Sequence, residues 1–317
     1  MNKVSFNILN ISDLQNFMTK NKQPSFRVDQ VFEWVYGKEV DDFSLMTNLP
    51  KDLILKLSET FVITKPLLHA GQTSSDGTQK FVLEFPSVSH DEKSICVECV
   101  AIPSLDSNSE QLTVCISSQA GCPMACEFCA TGKQGFSRNL YCGEIIQQVL
   151  FIQNELNKKV SNIVVMGQGE PFLNFDNTID AITLINKSKI VGVGSRKITI
   201  STCGIVPGIN KFANVDKQFG LAISLHSAIQ EKRNELMPGV KNYSLSKLKE
   251  SIQHYITTTN RRPTFEHLLI NNVNDGYEDL NALINYCKGM LCHVNLINLN
   301  TIPGSKFLPS DKSTANK

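Results

Sequence analysis

The sequence lacks several features that would place it in a simple class. It has no excess of basic residues, because 31 Lys and Arg side chains stand against 30 Asp and Glu, so charge alone does not announce a nucleic-acid partner. It has no basic N-terminal segment followed by an apolar stretch, and no apolar run approaches the length that spans a membrane. These absences predict a cytoplasmic protein with no membrane association.

Cysteine is present in moderate number, and three of the ten cysteines form a close group. Cys122, Cys126 and Cys129 have the spacing C-x₃-C-x₂-C. Three thiolates at this spacing can bind three irons of a 4Fe–4S cluster and leave the fourth iron open to a small molecule. The alternative is a zinc site, but zinc in a structural site takes four protein ligands, and no His lies nearby to be the fourth. The pattern favours the cluster, which requires a reducing compartment rather than a disulfide scaffold.

The first third of the sequence predicts two kinds of secondary structure, first helices and then β-strands. Residues 1–75 show helical spacing in short stretches, so they predict a small helical accessory domain. Residues 76–110 predict a β-strand extension with polar loops. The predicted helices cover Ile11–Met18, with Ser12 or Asp13 as the cap, Phe26–Tyr36 and Leu53–Leu57; the predicted strands are 80–85 and 94–102, and the predicted loops are 73–78 and 104–110.

From residue 111 to 303, apolar strands alternate with amphipathic helices. This order predicts parallel strand–helix units and an α/β fold, a partial (β/α)₆ TIM-like barrel. Chemistry in such folds lies in loops after the strands, and the cysteine triplet follows the first strand. Residues 304–317 are short and polar, which predicts a disordered tail. The predicted strands are 112–118, 161–166, 197–201, 219–225, 264–270 and 292–298, and the predicted helices are 142–156, 175–188, 207–214, 244–257 and 277–288.

The flanks of the triplet narrow the interpretation. The runs Leu112–Cys122 and Cys126–Leu140, with Phe26–Tyr36 and Met46–Leu49 upstream, closely resemble the RlmN/Cfr family of radical S-adenosylmethionine enzymes. The resemblance implies methylation of an adenine C2 carbon in 23S rRNA and, as in the RlmN subgroup, in tRNA. It implies one 4Fe–4S cluster per chain, S-adenosylmethionine, an electron donor such as flavodoxin and an RNA-recognition role for residues 1–75. Nothing in the sequence suggests more than a monomer.

A Gly-rich turn follows the second predicted barrel strand. Gly169 permits close approach of the backbone to a ligand, and Glu170 can accept hydrogen bonds from an ammonium group. An ordinary strand–helix turn is the alternative for that motif alone, and a structural role is the alternative for His226. The family resemblance assigns a set of residues at predicted strand ends to S-adenosylmethionine: Gly169, Glu170, Ser201, Ser224, Leu225, His226 and Asn300.

Two further residues gain a catalytic role only through the resemblance. Glu98 matches the family's proton-accepting glutamate, although the alternation of its strand would make it a solvated carboxylate. Cys115 matches the thiol that resolves a covalent RNA–enzyme intermediate, although a free cysteine in a strand is more often a small buried residue. In the family, S-adenosylmethionine first methylates a cysteine near the C-terminus, and a radical on that methyl group then adds to the adenine. The target base must be splayed out to reach such a site.

The segment that carries the family's methyl-bearing cysteine, resembling Ala-Ala-Cys-Gly-Gln-Leu, has no match in this sequence. Three explanations stay open: a truncated or frameshifted chain, a divergent paralogue with other radical chemistry, or a different cysteine in that role. Cys203 is the candidate stand-in, with an ordinary small residue as its alternative. A non-methylating protein that cleaves S-adenosylmethionine or only binds RNA is the competing function.

The remaining candidates are weaker. Several basic side chains could contact phosphate, but an ordinary surface charge explains each of them equally: Arg27, Lys80, Arg138, Arg261 and Arg262. Four cysteines outside the triplet are predicted to be structural: Cys96, Cys99, Cys142 and Cys287.

Overall fold

The protein is an α/β protein in which helices follow most of the strands. The computed structural model describes residues 3–87, 93–106 and 108–311. Its strands are β1 Val4–Ser5, β2 Phe61–Val62, β3 Leu67–Thr73, β4 Gln79–Phe85, β5 Ile95–Pro103, β6 Leu112–Cys115, β7 Gln119–Gly121, β8 Phe136–Asn139, β9 Asn162–Val165, β10 Ile198–Thr202, β11 Gly220–Ser224, β12 Thr264–Leu269 and β13 His293–Asn298. Its α-helices are α1 Ile11–Lys20, α2 Arg27–Phe32, α3 Lys51–Thr60, α4 Ala130–Gln134, α5 Cys142–Leu156, α6 Phe175–Asn186, α7 Val206–Phe212, α8 Gln230–Leu236, α9 Leu245–Thr259 and α10 Tyr277–Cys287.

The chain forms two compact units. In the first unit, neighbouring strands follow the order β9–β6–β5–β4–β3, with β6 and β9 parallel and the other pairs antiparallel. In the second unit, β10 to β13 lie side by side and are all parallel. The first unit takes its described residues from 1–120, 138–168 and 174–198, and the second from 121–137, 169–173 and 199–317.

The predicted α/β class is confirmed, and the six strands predicted for the barrel are found as β6 and β9–β13. The sequence missed β3 and α8, as well as the short elements β1, β2, β7, β8 and α4. Every residue of β3 is exposed, so this edge strand lacks the alternation of apolar and polar residues that reveals a half-buried strand. Helix α8 has one apolar residue, Leu236, among its seven, so it shows no apolar stripe. No helix of the described residues is long and apolar enough to cross a membrane.

The N-terminal helices pack around one aromatic residue. Phe6 is fully buried, and its ring centroid lies 5.8–6.2 Å from four other aromatic rings. The predicted cap of α1 is wrong, because Asn10 accepts the Asp13 N–H while Asp13 accepts the Asn10 N–H, a capping box that starts the helix earlier. The helix predicted over Phe26–Tyr36 is found as α2, which is followed directly by a π-helical turn, Glu33–Gly37.

A buried polar contact joins these helices to α5 within the first unit. The Asn7 amide donates to Gln147 at 3.2 Å and to the Thr64 carbonyl at 3.1 Å, while Tyr36 donates to Asn7 at 3.3 Å. Gly143 faces this contact, and a Cβ there would lie 2.2 Å from the Tyr36 hydroxyl and 2.6 Å from the Asn7 Cα. Only glycine fits at this crossing.

The described part of the C-terminal segment is docked, which corrects the prediction that residues 304–317 are disordered. Pro309 bridges Ile270, the Asn271 N–H donates to Leu308, and Ser310 bonds to Asp275 at 2.7 Å. The apolar side chain of Phe307 supplies buried area that a polar composition conceals. Residues 312–317 of the predicted tail lie outside the described residues.

Candidate active site

The three cysteines of the triplet lie on a loop between β7 and α4 that is anchored by backbone hydrogen bonds. The Cys122 N–H donates to Gly135 at 2.8 Å, and the Cys129 N–H donates to Cys126 at 3.1 Å. Two further bonds tie the loop to the segment after α8: Glu127 N–H to the Leu236 carbonyl at 3.0 Å and Gly239 N–H to the Met124 carbonyl at 3.0 Å. The main chain therefore fixes the positions of the thiols.

Two glycines allow this loop to fold tightly. A Cβ on Gly132 would lie 2.8 Å from the Cys126 carbonyl oxygen and 2.9 Å from its nitrogen. A Cβ on Gly239 would lie 2.7 Å from the Met124 Cα and carbonyl oxygen. These neighbours are backbone atoms that cannot move aside, so both positions require glycine.

The donor set of the loop fits a cluster better than a single metal ion. A 4Fe–4S cluster that leaves one iron open takes three thiolates, and the loop supplies that number. A structural zinc site takes four protein ligands. The zinc alternative is therefore disfavoured.

Cys203 lies beside the triplet, just after β10. Its thiol hydrogen-bonds with that of Cys126, which lowers the pKa of Cys126 and raises the pKa of Cys203. Burial raises the pKa of Cys122 to about 12, so a metal would have to displace its proton. Cys203 thus contacts a predicted cluster ligand directly, which the sequence did not indicate. This contact gives Cys203 a role that competes with that of a methyl carrier.

A buried arginine holds the ends of two strands in the second unit. Arg233 is 1% exposed and donates to the carbonyls of Ser224 at 2.9 Å, Leu225 and Cys203. Its charge also contributes to the lowered pKa of Cys126. The sequence analysis missed Arg233 because one basic residue in a short charged helix, Gln-Glu-Lys-Arg-Asn-Glu-Leu, gives no signal of burial.

Glu170 is the carboxylate nearest to this group. It is 1% exposed, and its two oxygens accept the N–H groups of Phe172 at 3.0 Å and Cys203 at 2.6 Å. Burial raises its pKa, and these hydrogen bonds oppose the rise. Gly169 precedes it with φ of 102°, a conformation that favours glycine. The Gly-rich turn is thus tied to the residues that follow β10.

The structure places the other predicted S-adenosylmethionine residues of the second unit at or beyond the carboxyl ends of its parallel strands. Ser201 lies opposite Ala222, and Ser224, the last residue of β11, lies opposite Glu266. Asn300 is exposed two residues beyond the end of β13. Leu225 is fully buried, so its backbone is the part open to a ligand. The strand ends bring these residues to one edge, as the sequence predicted.

His226 has a packing role in the structure. Its Nδ1 accepts the Leu268 N–H at 3.1 Å, its carbonyl accepts the Asn274 amide at 2.6 Å, and its ring contacts Phe128 edge-on at 4.8 Å. Burial lowers its pKa to about 3, so the imidazole is neutral and carries its proton on Nε2. Its assignment to S-adenosylmethionine stays a prediction.

Glu98 and Cys115 share one face of β5 and β6 in the first unit. Cys115 lies opposite Val100, so Glu98 is its diagonal neighbour, a placement that separates such residues by about 7–8 Å. Lys80 on β4 contacts the Glu98 carboxylate at 3.0 Å. Burial raises the pKa of Cys115 to about 11, although a hydrogen bond from the Met166 backbone opposes the rise. Glu98 and Cys115, the two residues predicted to be catalytic, thus lie on one face of the sheet. Lys80, which was a candidate for contacting phosphate, pairs with Glu98 on that face.

The other basic candidates and cysteines have assigned contacts. Arg138 makes two bonds of 2.8 Å to the buried carboxylate of Glu144, so it is neither a surface charge nor a phosphate ligand. Arg27 and Arg261 donate to the carbonyls of Asn48 and Gln218. Of the four cysteines predicted to be structural, Cys99 and Cys142 are buried, Cys287 is half-buried beside Cys292, and Cys96 is exposed and does not pack in the core.

Two families match the chain. Residues 6–63 match the ribosomal RNA large subunit methyltransferase N-terminal domain, and residues 116–287 match the radical SAM superfamily. The second match covers more than half of the chain and includes the cysteine loop, Glu170 and the ends of β10 and β11.

Whole-chain relatives agree with both matches. The chain is 42% identical over 303 residues to a probable dual-specificity RNA methyltransferase RlmN of Clostridium perfringens, covering 95% of this chain and 84% of that protein. A Staphylococcus aureus protein of the same description is 41% identical over 314 residues, covering 98% and 84%. A crystal structure of a radical SAM methyltransferase from Sphaerobacter thermophilus superposes with a TM-score of 0.83 at 33% identity, covering 99% of this chain and 90% of that one.

Proposed function

Because the chain belongs to the RlmN family of the radical S-adenosylmethionine superfamily, we propose that it methylates the C2 carbon of an adenine in 23S rRNA and in tRNA. One observation carries this proposal: a backbone-anchored loop presents the thiols of Cys122, Cys126 and Cys129 together, inside the region that matches the radical SAM superfamily. The family implies an iron–sulfur cluster and S-adenosylmethionine; we take the cluster to be of the 4Fe–4S type, one per chain.

Cys122, Cys126 and Cys129 are the residues that would hold the cluster. When bound, the cluster supplies the electron that cleaves S-adenosylmethionine and so provides the radical chemistry that a poorly nucleophilic adenine carbon requires. The thiol of Cys203 supports Cys126 by a hydrogen bond, and hydrogen bonds to cluster sulfurs tune such centres. The buried Arg233 fixes the strand ends that surround the loop.

The residues of the Gly169–Glu170 turn and the strand ends would orient S-adenosylmethionine. The carboxylate of Glu170 would pair with the methionine ammonium, and the hydroxyls of Ser201 and Ser224 lie at strand ends where ligands of this fold class bind. Asn300 and the backbone of Leu225 add donors and acceptors at the same edge. His226 contributes by fixing the end of β11.

Glu98 and Cys115 would act on the RNA. Glu98 accepts a proton from the adenine carbon, and the Lys80 ammonium orients its carboxylate. Where a methyl-bearing cysteine joins RNA to the enzyme, Cys115 would attack the sulfur of that cysteine: a disulfide forms, the carbon–sulfur bond breaks, and the released carbon keeps the electron pair and takes a proton. Since the pKa of Cys115 lies near 11, the thiol is protonated at neutral pH, and attack requires that a base remove the proton as the bond forms.

The substrate and setting follow from the family. Residues 1–75 would form the RNA-recognition domain, residues 76–110 a β-strand extension and residues 111–303 the catalytic domain. The target adenine would be splayed out of its stack. We place the enzyme in the cytoplasm as a monomer that takes electrons from a flavodoxin-type donor.

A second candidate is a protein that cleaves S-adenosylmethionine, or binds RNA, without methylating it. The observation in its favour is that Cys203, the candidate stand-in for the family's methyl-bearing cysteine, is hydrogen-bonded to the thiol of Cys126.

The test is an anaerobic assay with assembled cluster, reductant, S-adenosylmethionine, unmodified 23S RNA and tRNA, in which 5′-deoxyadenosine and 2-methyladenosine are measured together. We expect both products from the natural chain and neither from the Cys122→Ala/Cys126→Ala/Cys129→Ala variant. Cys287→Ala, outside the site, should match the natural chain. Deoxyadenosine without methyladenosine would select the second candidate, and the absence of both would reject radical chemistry.

A further inference from the structure

Three potential metal ligands meet on the outward face of β3, β4 and β5, away from the cysteine loop. They are His69, Glu84 and Cys96, and their ligand atoms all lie within 4.8 Å of one another. His69 Nδ1 is 3.8 Å from a Glu84 carboxylate oxygen. None of the three residues has a part in the function proposed above, and the His69 side chain is 59% exposed.

The strand register explains the convergence. Glu84 lies directly opposite Cys96 in the antiparallel pair β4–β5, and the other face of β4 buries Phe81, Leu83 and Phe85 in the core, so Glu84 must point outward. The register of β3 against β4 shifts between Leu68 and Ala70, which leaves His69 as the extra residue of a bulge. Bulges re-aim a side chain, and here the His69 ring is brought to Glu84.

We propose that His69, Glu84 and Cys96 bind a zinc ion, with water as the fourth ligand. One imidazole, one carboxylate and one thiolate form the borderline donor set that zinc accepts, whereas magnesium and calcium prefer oxygen alone. A tetrahedral ion with bonds of about 2.0–2.3 Å needs its ligands about 3.3–3.8 Å apart. The ligand atoms lie within 4.8 Å of one another, so they have to close by about 1 Å to reach that spacing. A thiolate and a carboxylate also neutralise the charge of the ion.

A zinc ion at this position would hold the edge strand β3 against β4 and β5. β3 is an edge strand that is exposed along its whole length, and such an edge has little to hold it in register. An ion shared by three adjacent strands ties β3 to β4 and β5, so its binding free energy stabilises the folded sheet. With three protein ligands and a water the site is open, unlike a closed four-ligand structural site, and its effect is to tie the three strands together; it has no part in the methylation chemistry.

The experiment uses the full chain with its cluster assembled. After treatment with a chelator, the protein is equilibrated anaerobically with buffered zinc, and zinc and iron are counted per chain by elemental analysis. We expect about one zinc per chain with unchanged iron, and zinc K-edge absorption should show about one sulfur donor with nitrogen and oxygen. Cys96→Ser, His69→Gln and Glu84→Gln should each lose this zinc and keep their iron.

The matched control is Cys287→Ser/Cys292→Ser, which removes a second pair of neighbouring thiols and should keep the zinc. Zinc should also raise the melting temperature of the natural chain but not that of the three variants. The proposal is overturned if the natural chain binds no zinc at micromolar free ion, if the three variants retain it, or if the control loses it equally. Because iron and methylation are measured separately, failure here leaves the proposed function untouched.

Discussion

The two regions assigned to chemistry are built in different ways. In the second unit, the cysteine loop and the strand ends around Glu170 and Arg233 are fixed by backbone hydrogen bonds and buried charge. In the first unit, the β4–β6 face presents Lys80, Glu98 and Cys115 from a regular sheet, and the first two are about 40% exposed (42% and 40%). The cysteine-loop region should therefore tolerate little change, while most of the β4–β6 face can be altered without loss of the fold.

The exception on the β4–β6 face is Cys115, whose burial gives the largest expected effect. Its pKa of about 11 predicts that alkylation by iodoacetamide rises about tenfold per pH unit, and so about a thousandfold between pH 7 and pH 10. Peptide mass spectrometry on the cluster-loaded protein would follow this cysteine alone, with Cys115→Ser as the blank. A rate that stays flat over this range would mean that the thiolate already exists at neutral pH.

Replacement of Arg233 should be the most damaging single change in the cysteine-loop region. Arg233→Met leaves the carbonyls of Ser224, Leu225 and Cys203 without their donor and should lower the free energy of unfolding by about 3 kcal/mol. Urea denaturation measures the change. Arg262→Met, an exposed neighbour in the same unit, should stay within about 0.5 kcal/mol. Equal behaviour of the two variants would contradict the role assigned to the buried guanidinium.

A methyl group on the cysteine loop should have a smaller but selective effect. Gly132→Ala places a Cβ 2.8 Å from the Cys126 carbonyl, which should cost about 2 kcal/mol of stability and reduce the iron bound per chain. Gly194→Ala is the matched control, because its Cβ meets nothing within 4 Å. If Gly132→Ala bound iron as well as the control does, the loop would be less tightly fixed than its contacts imply.

The smallest stability effect is expected for the ion pair on the β4–β6 face. Lys80 and Glu98 are both partly exposed, so solvent screens their attraction, and Lys80→Met should change the free energy of unfolding by less than about 0.5 kcal/mol. Methylation should nevertheless fall, because the Glu98 carboxylate loses the group that orients it. Lys80→Arg should restore part of the activity. A large loss of stability would show that this face also has a structural role.

Sequence patterns predicted the parts of the molecule that depend on periodicity. The strands β6 and β9–β13 were found within a few residues because buried apolar runs alternate with amphipathic helices. The thiol spacing likewise identified the cysteine loop. The alternation of β5 predicted that Glu98 is on the outward face, but its partner Lys80 depends on the register between β4 and β5, which one strand does not encode.

The missed features depend on contacts between distant segments. The burial of Arg233 depends on carbonyls at the ends of β10 and β11, and the Cys126–Cys203 pair joins residues that are far apart in the chain. The tail prediction was wrong for residues up to 311 because Phe307 finds a buried position that polar neighbours conceal. The bulge at His69 arises from pairing and has no signature in the local sequence.

The close approach of Gly143 to Asn7 and Tyr36 limits which chimeras of this protein and its relatives could fold. A chimera that takes its first 63 residues from one relative and the remainder from another must carry Asn7, Tyr36 and Gly143 as a matched set, since a side chain at the glycine would collide with both partners. The N-terminal helical segment therefore cannot be exchanged independently of the helix that carries Gly143. A library of swapped N-terminal segments would be filtered by this one crossing before any difference in RNA preference could be seen.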